Sequence, residues 1–165
     1  MLLHWSTVAL VVALYAVGWY MVELPKGPAR GESFALHKSL GLTVALLTCC
    51  RLGWRLCVPP PPLPTTIARW QRLLATSVHH LFYALLLLQP LMGYLSSSFT
   101  AYPTSYFGIP LPDWGNEHPA LNELFTEVHV AGSVALLLVI VLHVLGALSH
   151  ALTAGDRLVR RMLPW

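Results

Sequence analysis

Residues 127–150, EVHVAGSVALLLVIVLHVLGALSH, limit most strongly what this chain can fold into. A helix needs roughly 20 apolar residues to cross a bilayer core about 30 Å thick, and this stretch supplies them. It also carries three imidazoles, His129, His143 and His150. Fourteen residues separate His129 from His143, close to four helical turns, so both project from one face. At about 1.5 Å per residue they lie about 21 Å apart along the axis, one near each surface of the membrane. Two cofactors stacked across a bilayer need this arrangement.

The rest of the chain is of the same kind. Only 10% of its 165 residues are charged and 56% are hydrophobic, against about 25% charged in a soluble domain. The mean hydropathy is +0.62. Four spans are predicted, at residues 2–22, 35–57, 74–98 and 127–152, giving an all-α, integral membrane four-helix bundle in a single membrane domain over 1–165. The second is interrupted by Arg51 and Arg55, which can snorkel to the interface from a helix end. LPKGPARGE separates the first two spans, and VPPPPLP follows the second, where proline cannot continue a helix. Between the third and fourth spans lies SSSFTAYPTSYFGIPLPDWGNEHPALNE. Its aromatics and prolines predict a long ordered outer loop, a cap on the membrane surface with Tyr and Trp at headgroup depth. The N-terminal MLLHWSTVALVVALYAVGWYMVE has no basic n-region and too long an apolar run for a signal peptide, and is expected to be a retained helix.

Basic residues set the orientation. With the N-terminus inside, inner segments hold Arg51, Arg55, Arg69, Arg72, Arg157, Arg160 and Arg161, and outer ones hold Lys26, Arg30 and Lys38. The positive-inside rule then places both termini in the cytoplasm. The arginines form no basic stripe, so no nucleic acid partner is expected. Cys49, Cys50 and Cys57 contain no C-x-x-C pair and read as small apolar fillers. Trp5 and Trp54 read as interface anchors.

In this topology His37 and His129 open spans two and four at the outer side, and His118 lies in the outer loop after Glu117. Paired imidazoles from two facing helices can clamp an iron axially, and His37 with His129 is the outer pair that elimination favours. At the inner side His143 has several partners within reach, His4, His79, His80 and His150, and spacing alone does not choose. Hydrogen bonding between helices, a proton relay and zinc are the alternatives. Structural zinc wants four clustered ligands, whereas these histidines spread over two depths. A relay does not require the four-turn interval. Haem iron accounts for the whole set.

LHWST, LHKSLG, HHLFYALLLLQPLMGY, FGIPLP and EVHVAG…LHVLGALSH, in this order and topology, resemble the bacterial cytochrome b561 family over nearly the whole chain. The resemblance implies two b-type haems in a four-helix membrane protein of the bacterial inner membrane. It pairs His4 with His143 at the inner haem and His37 with His129 at the outer one. His79 matches another family histidine, not usually an axial ligand, and is the reserve for the fourth ligand; His80 reads as interfacial. The short, stand-alone branch implies a superoxide oxidase, taking electrons from superoxide outside and reducing ubiquinone inside. The second expectation is an electron-transfer subunit linking the quinone pool to a periplasmic redox partner protein.

Bis-histidine iron is coordinatively saturated, so chemistry is expected at the haem edges. Lys38, directly after His37, is the candidate for steering the superoxide anion. His150, seven residues past His143 on the same face, is the candidate for binding the quinone. Arg72, and Arg51 with Arg55, are candidates for pairing with haem propionates, Arg72 also with quinone.

Overall fold

The computed structural model describes residues 1–59, 68–102 and 104–153, without the side chains of His150, Leu152 and Thr153. Four long helices dominate: α1 (Leu2–Glu23), α2 (Pro28–Cys57), α3 (Arg69–Ser98) and α4 (Pro119–Thr153). All four are long and apolar enough to cross a membrane, as expected of an all-α membrane bundle. Three start earlier than the apolar runs, at 28, 69 and 119 instead of 35, 74 and 127. Hydropathy marks only the part that lipid solvates, and local capping carries each helix further. Pro28 occupies the first turn of α2, where its missing N–H costs nothing. The Gln71 side chain accepts the Ala68 N–H at 3.3 Å at the start of α3. His118 caps α4: its Nδ1 accepts the Leu121 N–H at 3.3 Å, while its own N–H donates to the Phe99 carbonyl at 3.0 Å. That imidazole is committed to a helix end.

α1 packs on α2, α2 on α3 and α3 on α4. Between α1 and α4 side chains bridge the space, among them the Tyr15 hydroxyl, which donates to the Ser133 carbonyl at 2.6 Å. The interior is thin. Val11, Val44, Val78, Leu85, Leu86, Leu136 and Val139 form its apolar part. Large aliphatic side chains such as Val12, Leu73 and Leu138 face outward instead, as a lipid solvent allows. Buried Thr7, Ser39, Thr48 and Ser98 return their hydroxyls to the carbonyl four residues back, at 2.7–3.0 Å. Their polar atoms therefore cost little inside the bundle.

The segment between α3 and α4 has at its centre a hairpin of β1 (Ser105–Tyr106) and β2 (Ile109–Pro110). Tyr106 pairs with Ile109 and Ser105 with Pro110, antiparallel. Phe107 and Gly108 at the turn have φ of 47° and 88°. Two positive φ values match the strand twist, easy for glycine but strained for phenylalanine by about 1 kcal/mol. Ser39 of α2 offsets the strain by accepting the Phe107 N–H at 3.0 Å, and Thr43 meets the Tyr106 hydroxyl at 3.3 Å. Tyr94 donates to the Pro112 carbonyl. The hairpin is thus fastened to the end of the bundle near His37.

Candidate functional site

The histidines gather at two ends of the bundle. At the hairpin end, His37 of α2 and His129 of α4 bring their ring centres to 6.2 Å, with planes 78° apart. An imidazole nitrogen–metal bond is about 2 Å, so a metal bonded to two opposed imidazoles holds the ring centres roughly 6 Å apart. The observed spacing fits an axially held iron. Both rings are half-buried.

Two features aim these rings. The Nδ1 of His129 lies 2.9 Å from the backbone carbonyl of Gln89 on α3. A carbonyl only accepts, so Nδ1 carries the proton and Nε2 keeps its lone pair for a metal. The His37 ring interacts with the backbone of Leu14 on α1, though its buried Nδ1 makes no close, well-aligned hydrogen bond. Each ring also rests against a glycine of a neighbouring helix, His37 on Gly18 and His129 on Gly93. These glycines and Gln89 were invisible to sequence reasoning. Small residues in a membrane helix signal close packing, but not what packs there.

At the end where α1 begins, His143 of α4 meets two imidazoles. Its ring centre is 6.5 Å from His4 of α1 and 5.5 Å from His79 of α3, with Phe82 at 5.3 Å. His4 has the spacing closer to that of the hairpin-end pair. Arg51 Nη1, however, lies 3.4 Å from His4 Nδ1. A guanidinium only donates, so in this arrangement His4 accepts at Nδ1 and a neutral ring carries its proton on Nε2. His4 can bind a metal through Nε2 only when Arg51 releases Nδ1. His80 is exposed. No group of three or more His, Cys, Asp or Glu among the described residues is arranged to hold a metal ion, so the rings pair across the bundle and do not close a zinc-like cluster.

Charge differs between the ends. Arg51 and Arg55 both stand over the Tyr83 ring, at 6.0 and 5.9 Å, which gathers two cations beside the His143 group. No described carboxylate belongs to this end, since Glu23, Glu32, Asp113, Glu117, Glu123 and Glu127 all lie toward the hairpin end. The pair is suited to an anionic group such as a propionate. Arg72 is half-buried and lines a shallow, open concavity with Arg69, Leu73 and Thr76 on the first turns of α3. Lys38 is half-buried beside His37, within the field of Asp113 from the cap. α4 continues past residue 150, but the His150 side chain lies outside the described residues, as do Arg157, Arg160 and Arg161.

The chain matches, over residues 1–165, the model of a family described as prokaryotic cytochrome b561. It is similar to cytochrome b561 homolog 2 of Escherichia coli K12, at 30% identity over 97% of this chain and 86% of that protein. Cytochrome b561 homolog 1 of the same organism is 26% identical over 98% of this chain and 93% of its own length. Cytochrome b562 of Cereibacter sphaeroides is 29% identical over 98% of this chain and 90% of that protein.

Proposed function

We propose, from the premise that the chain belongs to the prokaryotic cytochrome b561 family, that it oxidises superoxide at the periplasmic face and passes the electrons across the bilayer to ubiquinone. Membership makes it a membrane b-type cytochrome of electron transfer, with haem b as its prosthetic group. When bound, haem supplies a one-electron carrier whose potential answers to its axial ligands and surroundings. One observation carries the reading. Opposed imidazoles stand at both ends of one bundle, at 6.2 Å for His37–His129 and 6.5 Å for His4–His143, and the unbroken α4 joins them.

In this reading His37 and His129 hold the outer haem and His4 and His143 the inner one, with His79 in reserve for His4. Gln89, through its carbonyl, keeps the His129 proton on Nδ1 and its ring in place. Arg51 and Arg55 pair with the inner propionates, and Arg72 with a propionate or with quinone. His150 binds the quinone head and hands it a proton. Lys38 draws the superoxide anion toward the outer haem edge through its local field beside His37, against the six carboxylates elsewhere at that end. Two superoxide anions give up two electrons and leave as dioxygen; ubiquinone takes those electrons and two protons to become ubiquinol. The described arginines Arg51, Arg55, Arg69 and Arg72 lie at the end where α1 begins. They support an inner-membrane orientation with both termini cytoplasmic.

A second reading, an electron-transfer subunit for a periplasmic redox protein, draws on the exposed cap residues Phe107, Ile109 and Trp114, at 59%, 63% and 69%. Apolar groups on a polar cap suit a protein contact. Stopped-flow mixing separates the two. The oxidised holoprotein should be reduced by superoxide near the diffusion limit, about 10⁸–10⁹ M⁻¹s⁻¹, at a rate that falls with salt. Slow, salt-insensitive reduction overturns the enzyme reading in favour of the subunit.

A further inference from the structure

The helical glycines divide according to what a side chain would meet there. A Cβ placed at Gly41, Gly53 or Gly146 finds nothing within 4 Å. At Gly18 it lies 3.2 Å from Cε1 and 3.6 Å from Nδ1 of His37; at Gly93 it lies 3.3 Å from both Cε1 and Nδ1 of His129. Favourable separations between non-bonded carbons are about 3.5–4.0 Å, so a methyl group at either place displaces the ring or the helix. Beyond the backbone of their own helices, no other described atoms lie within 4 Å of those two positions. The space is shaped by the imidazoles alone.

Gly93 has a second consequence. It stands four residues after Gln89, so its N–H points at the Gln89 carbonyl in the helical ladder. That same carbonyl lies 2.9 Å from His129 Nδ1. The bare backbone lets the ring reach an oxygen already inside a helix. Gly18 stands in the same relation to Leu14, four residues before it, whose backbone interacts with His37, but the contact is looser, since His37 Nδ1 makes no close, well-aligned hydrogen bond. At the other end no glycine among the described residues backs His4, His79 or His143; Phe82 and Arg51 press on those rings instead.

We infer that Gly18 and Gly93 are positioning residues that fix the rotation of the His37 and His129 imidazoles, setting the electronic structure and potential of the hairpin-end haem but not of the other. The inference rests on reading those two histidines as an axial pair. Their planes stand 78° apart, and the low-spin ferric EPR signal of a bis-imidazole haem responds to that angle. Loosening the hydrogen bond to Nδ1 makes the imidazole a poorer electron donor. Ferric iron is then less favoured and the potential rises.

The test uses full-length holoprotein in detergent carrying Gly18→Ala, Gly93→Ala or, as a control for the added helix propensity of alanine, Gly53→Ala. Haem per polypeptide, ferric EPR and midpoint potentials are read for each. Gly93→Ala should shift the EPR gmax and raise the potential of one haem. Gly18→Ala should shift gmax of that same haem with a smaller change in potential. Gly53→Ala should match the parent. Loss of that one haem alone also supports the inference, because its ligand ring is then misplaced. Spectra and potentials of both variants matching Gly53→Ala would overturn it, as would equal loss of both haems, which marks a general packing role. His37→Ala and His129→Ala keep the two readings distinguishable. If they lose one haem while the glycine variants are silent, the positioning role alone fails; if they retain both haems, the axial pairing fails and takes the inference with it.

Discussion

The carbonyl oxygen of Gln89 lies 2.9 Å from Nδ1 of His129, joining α3 to α4 at a polar atom well inside the bundle. Gln89 is 8% exposed, so water competes little for that carbonyl. The contact settles which ring nitrogen is free to bind a metal. It also holds the ring where it faces His37 across 6.2 Å.

Removing either member of this pair is therefore expected to remove one haem. His37→Ala and His129→Ala should each purify with half the parent's haem per polypeptide, measured as pyridine haemochrome. The remaining haem should keep its parent potential, because His4, His79 and His143 are grouped at the other end. Full haem content in either variant would refute the assignment.

The other end calls for a comparison between two variants. His143 is within ring contact of both His4 and His79. His4→Ala is expected to lose the inner haem, and His79→Ala to retain it with a shifted potential. The reverse result would transfer the axial role to His79, and the Arg51–His4 hydrogen bond would then be a resting contact of the holoprotein.

Tyr15→Phe tests the bridge between α1 and α4. The Tyr15 hydroxyl donates to the Ser133 carbonyl at 2.6 Å, and an interhelical hydrogen bond in a membrane protein contributes about 0.6 kcal/mol on average. Thermal melts in detergent, followed at the Soret band, should show a small drop in midpoint with both haems retained. An unchanged midpoint would show that the bond does not contribute to holding the two helices together.

Much of this was legible in the chain itself. Apolar runs of membrane length predict four helices whatever they pack against, because a bilayer requires each segment to satisfy its own backbone. The interval from His129 to His143 needs only helix geometry, and α4 runs unbroken through both. Helix starts were less legible. Pro28, Gln71 and His118 carry the helices beyond the lipid-facing runs, and hydropathy does not register polar caps. His118, read as a loop histidine, turned out to be one of those caps.

The sequence by itself thus determined the number of spans and the family. Tertiary structure alone decided what each imidazole touches. Which rings meet depends on how each helix is rotated and how closely its neighbour approaches, and neither quantity is encoded by local periodicity. Gly18 behaves differently from Gly41, and Gly93 from Gly146, only because an imidazole from another helix occupies the space before it. Likewise Arg51 meets His4, 47 residues away along the chain, only because α1 and α2 pack side by side.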